Sequence, residues 1–120
     1  MKIKKQNRIL IIENVILPPK GFIAITIFGI IFTRELKKIS SIVFRHENIH
    51  VKQQLEMLFI LFFIWYGIEW FVKLIITRNL DRAYRSISFE AEAYEHDVNK
   101  EYLKKRKRYS FIKYITKIYD

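Results

Sequence analysis

The chain has no cysteine among its 120 residues. Neither a disulfide framework nor a thiolate metal site can therefore be built, and any metal must be held by His, Asp or Glu. It has only three glycines and two prolines, and the prolines are adjacent at Pro18-Pro19, so after them the backbone has few strong breakers. Acidic side chains are also scarce, 12 against 22 Lys and Arg, for a net charge of +10. No apolar run reaches the 18 or so residues that a spanning helix needs. The length suits a single domain, 1–120, with one core.

The positive charge gathers at the two ends, "MKIKKQNR" at 1–8 and "KEYLKKRKRYSFIKYITKIY" at 100–119. Such ends suit anionic lipid headgroups or nucleic acid, or they stand as solvated tails. Nucleic acid is the weaker partner, because most aromatics lie in a continuous apolar run and are not interleaved with the basic residues; Tyr102, Tyr109, Phe111 and Tyr114 are the exceptions. The basic start followed by "ILII" imitates a signal peptide. Glu13, Asn14 and Pro18-Pro19 interrupt it too early, so no cleavable signal is expected, and the chain is placed at the cytoplasmic face of a membrane.

Residues 9–16, "ILIIENVI", are short and β-branched and stop at Pro18-Pro19-Lys20-Gly21; residues 22–32, "FIAITIFGIIF", are β-branched and aromatic. Both read as strands, forming a hairpin-like pair. Ser40 or Ser41 then offers an N-cap, and from there to about Arg78 no proline occurs and Gly67 is the sole glycine. The pattern predicts one long helix, or two broken near Gly67. Its second half contains "MLFILFFIWYGI", an apolar stretch that must be buried in protein or lipid. A membrane-associated segment is expected at 57–76, either spanning or shallowly inserted. A further helix is expected from about Ser86 to Arg106, with Asn79 and Asp81 marking the turn before it. The fold class is α+β, mainly α.

Within the long helix stands "HENIH". His46 and His50 are four apart, so a helix projects both imidazoles from one face toward a single ion. Glu47 can reach a water at that ion and take its proton. Two solvated histidines on a surface helix are the bland alternative. Against it, only one further histidine, His96, exists. A third ligand is sought in "SISFEAEAYEHD", residues 86–97, where Glu90, Glu92 and His96 could face the first helix. Glu90 and Glu92 would also suit a helix N-terminal turn for dipole reasons alone.

"HENIH" followed by "FEAEAY" resembles the gluzincin branch of zinc metallopeptidases, in which a glutamate on a second helix is the third zinc ligand. That helix often carries Glu-x-x-Ala-Asp. Laid on this chain, the pattern makes Glu90 the ligand and puts Tyr94 where the aspartate would stand, so that Asp97 or Glu92 would have to replace it. A different alignment chooses Glu92. The set "KGF...TIFGIIFTR", "RHENIHVKQQLE", "WYGIEW" and "AYRSISFEAEAY" is also similar to small bacterial proteins described only as peptidases or membrane proteins. The resemblance implies a minimal zincin-like fold, Zn2+ as cofactor, a peptide or protein substrate, and an edge strand at 22–32 that holds extended substrate. Arg85, His96, Tyr84 and Tyr94 are the candidate donors to the carbonyl oxygen. Two rival expectations remain: a non-catalytic zinc-binding membrane-associated protein, and a basic nucleic-acid-binding protein.

Overall fold

The computed structural model describes residues 2–119. The fold is α+β and mainly helical, with the strands at the N-terminus. Strand β1 (Lys2–Gln6) and strand β2 (Ile9–Glu13) form an antiparallel hairpin whose turn residues, Asn7 and Arg8, both have positive φ, the geometry that matches strand twist in two-residue loops. The basic N-terminal segment is thus a strand and not a solvated tail. Its lysines all lie exposed on the sheet edge.

The strand expected over 22–32 is instead a hairpin of β3 (Ala24–Ile27) and β4 (Ile30–Thr33), because Phe28 and Gly29 take left-handed φ values of 52° and 77°. Gly29 adopts such a value without steric penalty. The expected hairpin pairing of residues 9–16 with 22–32 is also replaced. β2 pairs in parallel with β4, Ile11 opposite Ile31, and the sheet order is β1-β2-β4-β3. The intervening loop carries the chain back across the sheet. It is held by Asn14, whose Oδ1 accepts from the Ile16 and Leu17 amides at 2.9 and 2.7 Å, and by Arg34, which donates to the carbonyls of Val15, Ile16 and Pro18.

Helix α1 (Ser41–Glu56) starts at Ser40, whose hydroxyl accepts from the Val43 amide at 3.1 Å. It packs on the sheet through Phe44 and Val51 against Ile9, Ile11 and Ile31. The helix breaks at residues 57–59, not near Gly67. Leu58 and Phe59 take φ of 53° and 60°, a conformation that costs non-glycine residues of order 1–3 kcal/mol each. The break re-aims helix α2 (Ile60–Thr77) so that Phe62 meets Phe89, with ring centroids 4.3 Å apart.

The turn expected at Asn79 and Asp81 opens helix α3 (Leu80–Ser86), and the single helix expected from Ser86 to Arg106 is two, α4 (Ser88–His96) and α5 (Tyr102–Lys105). Asn79 caps α3 by accepting from the Arg82 amide. The α3–α4 junction is fixed from α2. Glu69 accepts from the Ser88 amide at 2.5 Å and its hydroxyl at 2.6 Å, and Lys73 donates to the Ser86 carbonyl at 2.6 Å. A carboxylate thus caps one helix start and an ammonium the preceding helix end, as the peptide dipoles favour. A second, aromatic core of Phe62, Ile87, Phe89 and Phe111 joins α2, α4 and the C-terminal 3-10 turn (Ser110–Tyr114).

Candidate metal centre

α1 and α4 face each other with their polar sides. His46 and His50, one turn apart on α1, bring their Nε2 atoms to 3.2 Å, and the Glu90 Oε1 of α4 lies 3.2 Å from the first and 3.1 Å from the second. All three residues are buried. The arrangement is nearly equilateral. Ligands about 2.0–2.1 Å from a tetrahedral zinc ion stand about 3.3 Å apart, close to this triangle.

The outer bonds decide which ring nitrogens carry protons. The Gln53 amide donates from Nε2 to the Phe89 carbonyl at 3.0 Å and to Glu92 Oε1 at 2.9 Å, so its Oε1, 2.7 Å from His50 Nδ1, must accept. His50 therefore donates from Nδ1. His46 Nδ1 lies 3.1 Å from Asp97 Oδ2 and likewise has an acceptor before it. Each neutral imidazole then turns a bare Nε2 lone pair toward the same carboxylate oxygen. A proton or a metal ion could satisfy three acceptors meeting at one point, and His2Glu is among the donor sets that zinc takes. Burial disfavours a charged His50, but the charge and hydrogen bond of Glu90, the charge of Glu47 and the Gln53 contact together raise its pKa to about 9. Burial pushes the Glu90 carboxyl up and the two histidines bring it well below the usual carboxylate range.

Glu47 follows His46 on α1 and is itself buried; the Thr26 hydroxyl of β3 donates to its Oε1 at 2.6 Å. Gln54 ties the same strand down by donating to the Thr26 carbonyl at 2.7 Å and accepting from the Gly29 amide at 2.9 Å. β3 is an edge strand, with β4 as its partner on one side only among the described residues. Tyr66 reaches in from α2 and donates to Glu90 Oε2 at 2.7 Å.

Of the two candidate third ligands, Glu90 joins the histidines and Glu92 does not. Glu92 is fully buried but turned to the C-terminal segment, where it accepts from Tyr102 at 2.6 Å and Arg106 at 2.5 Å. Asp97, and not Glu92, supplies the carboxylate beside His46 Nδ1. Among the candidate donors, Tyr94 stands edge-on to His46 with ring centroids 4.4 Å apart, and its hydroxyl is 3.4 Å from that of Tyr84. Burial and the charge of Glu90 raise the pKa of Tyr84, so its phenol keeps its proton. Arg85 lies over the Tyr94 and Tyr119 rings, and His96 stacks on Tyr102 and bonds the Tyr114 hydroxyl at 2.9 Å. The contacts of His96 commit it to the C-terminal segment.

Thr26, Gln53, Gln54, Tyr66 and Arg106 escaped the sequence reading. Gln53 and Gln54 had a signal, lying three and four residues after His50 on the same helix. Tyr66 had a weaker one as the lone hydroxyl-bearing aromatic in its apolar run. Comparison with family models, curated proteins and solved structures finds no match to this chain.

Proposed function

We propose that the chain is a zinc-dependent metallopeptidase of the gluzincin type, hydrolysing peptide bonds with Glu47 as general base. The observation that carries the reading is the triangle of His46, His50 and Glu90, with the Nε2 atoms of both imidazoles turned toward the same carboxylate oxygen. A zinc ion held there would supply Lewis acidity, acidifying a water and polarising the scissile carbonyl. Thr26 holds one oxygen of Glu47 and so orients the carboxylate that takes the proton from the attacking water and returns it to the leaving amine. The free edge of β3 takes an extended peptide by strand addition, which requires an unstructured substrate. Tyr94 or its neighbour Tyr84 donates to the carbonyl oxygen as charge develops.

One observation favours a second reading, a zinc-stabilised protein without turnover: Glu47 is only 7% exposed and already bonded to Thr26. Glu47→Gln separates the two. A general base predicts unchanged zinc content and melting temperature, with cleavage of a library of unstructured peptides reduced roughly 10²–10⁴-fold. A zinc-loaded wild type that cleaves nothing, joined to a variant that melts earlier or loses zinc, would replace the enzyme with the structural protein.

A further inference from the structure

α2 has two faces of opposite character. Its inner stripe is Phe62, Tyr66, Glu69 and Lys73, and each member meets protein: Phe89, Glu90, Ser88, and the Ser86 and Lys117 carbonyls in turn. Glu69 and Lys73 are the only charged residues of the helix, and both are buried there. The rest of its surface is uncharged and apolar. Ile64, Ile68, Phe71 and Ile75 are between 53% and 66% exposed. An apolar surface of this extent along 18 residues is more than a water-facing helix normally carries. At the exposed turn of the β3–β4 hairpin, Phe28 packs on Phe59 and Phe63 and extends the patch.

What covers this face follows from where its tryptophans stand. At 100° per residue, Ile64 and Phe71 lie opposite the inner stripe, while Trp65 and Trp70 fall about 70° to either side of it. Both are about two-fifths exposed, at 41% and 40%. Indole rings on both flanks of an apolar face match the headgroup level of a bilayer, where amphipathic aromatic rings are enriched. The Trp65 N–H donates to Glu69 Oε1 at 2.9 Å, so there the ring and not its donor meets the headgroups. The net charge of +10 selects anionic lipid.

The helix is long and apolar enough to cross a membrane, with mean hydropathy 1.7. Its contacts argue against crossing. They run from Phe62 to Lys73, most of the helix, so a spanning α2 would draw the α3–α4 junction and the half-exposed Lys117–Glu95 pair into hydrocarbon. Lying flat immerses only the outer face.

We propose that α2 is an in-plane membrane anchor: its outer face enters the acyl region of an anionic bilayer, Trp65 and Trp70 lie at headgroup level, and the whole domain stays on one side. Because Tyr66 on the same helix holds Glu90, the metal centre then stands about one helix diameter, roughly 10 Å, above the lipid. The anchor does not depend on the metal being zinc or on catalysis.

The test uses purified full-length protein and vesicles of phosphatidylcholine with and without phosphatidylserine. Expected are co-flotation that is stronger with phosphatidylserine and little reversed by high salt, a blue shift of tryptophan emission, and quenching by brominated acyl chains. Phe71→Asp, at a position 66% exposed, should lower partitioning about tenfold or more with an unchanged circular dichroism spectrum. Ile64→Asn serves the same purpose should the first variant misfold. Since the chain lacks cysteine, Lys52→Cys and Asp81→Cys place single thiols before and after α2. Labelling of both by an impermeant reagent added outside the vesicles is the in-plane result. Labelling of only one means a span and overturns the proposal, as does a dimer that ignores vesicles, in which a second copy covers the face.

Discussion

α1 and α2 are consecutive helices of 16 and 18 residues, and they invert each other's burial. α1 hides His46, Glu47, His50, Gln53 and Gln54, whereas α2 exposes Leu61, Ile64, Phe71 and Ile75 and hides Glu69 and Lys73. In both, a polar side chain is inside because a named partner satisfies it: Glu90 and Asp97 for the histidines, Phe89 and Thr26 carbonyls for the glutamines, Ser88 for Glu69, Ser86 for Lys73. Hydropathy would have turned α2 the other way round, while α1 buries Phe44, Ile49 and Val51 together with its polar set. Burial of an unpaired polar group costs several kcal/mol, so a set this dense persists only when nearly every member is bonded.

The strongest way to break the contrast is to remove what α1 buries its histidines for. Glu90→Ala should abolish stoichiometric zinc binding, a larger loss than the roughly 10–100-fold that removing an outer partner costs. Glu92→Ala, two residues on, should keep the zinc and lose stability instead, because its carboxylate serves Arg106 and Gln53. Metal analysis of the two variants side by side checks this. Zinc retained by Glu90→Ala and lost by Glu92→Ala would mean that the other glutamate is the ligand.

Next in size is Arg106, whose side chain is only 3% exposed and which bridges Glu92 and Glu56, the latter at 2.6 Å. Arg106→Ala leaves two buried carboxylates without their cation and should cost about 3–5 kcal/mol in urea denaturation. A loss under 1 kcal/mol would mean that water reaches the pair. A smaller effect is expected at Asp97, which faces His46 Nδ1. Asp97→Asn should lower zinc affinity roughly 10–100-fold with little change in melting temperature. Competition with a chelator of known affinity measures it.

The fold class was legible, and so was the shared face of His46 and His50. His46 and His50 could be read as a pair because helix spacing fixes which side chains share a face, whereas Glu90 lies on another helix and was set ahead of Glu92 only through the resemblance. Ser40 was legible as one of two cap candidates from its residue type, and Asn79 only as part of a turn. The break at residues 57–59 was not, since Leu58 and Phe59 carry no mark of left-handed backbone; their strain is held by packing that forms only when Phe62 meets Phe89. The parallel pairing of β2 with β4 was hidden likewise, because it depends on Arg34 reaching back to carbonyls of residues 15–18. Glu69 and Lys73 could be seen as odd in an apolar helix, but not that they cap neighbouring helices. Sequence separation, more than residue type, decides which of these features can be read.

The smallest expected effect lies at Gly67, the position where the sequence pattern placed the helix break. α2 runs through it unbroken, the glycine is exposed, and a Cβ built there meets nothing within 4 Å. Its backbone φ is not in the left-handed range, so alanine fits without strain. Gly67→Ala should then stabilise the protein by about 0.4–1 kcal/mol, chiefly by restricting the unfolded chain. Alanine there also adds one methyl to the outer face of α2 and removes nothing from the inner one. Thermal or urea denaturation of the two proteins under identical conditions gives the sign directly. Destabilisation by 1 kcal/mol or more would mean that another backbone or a tightly fitted partner approaches the glycine. The outer face of α2 would then be a packed surface, and its contrast with α1 would rest on the inner stripe alone.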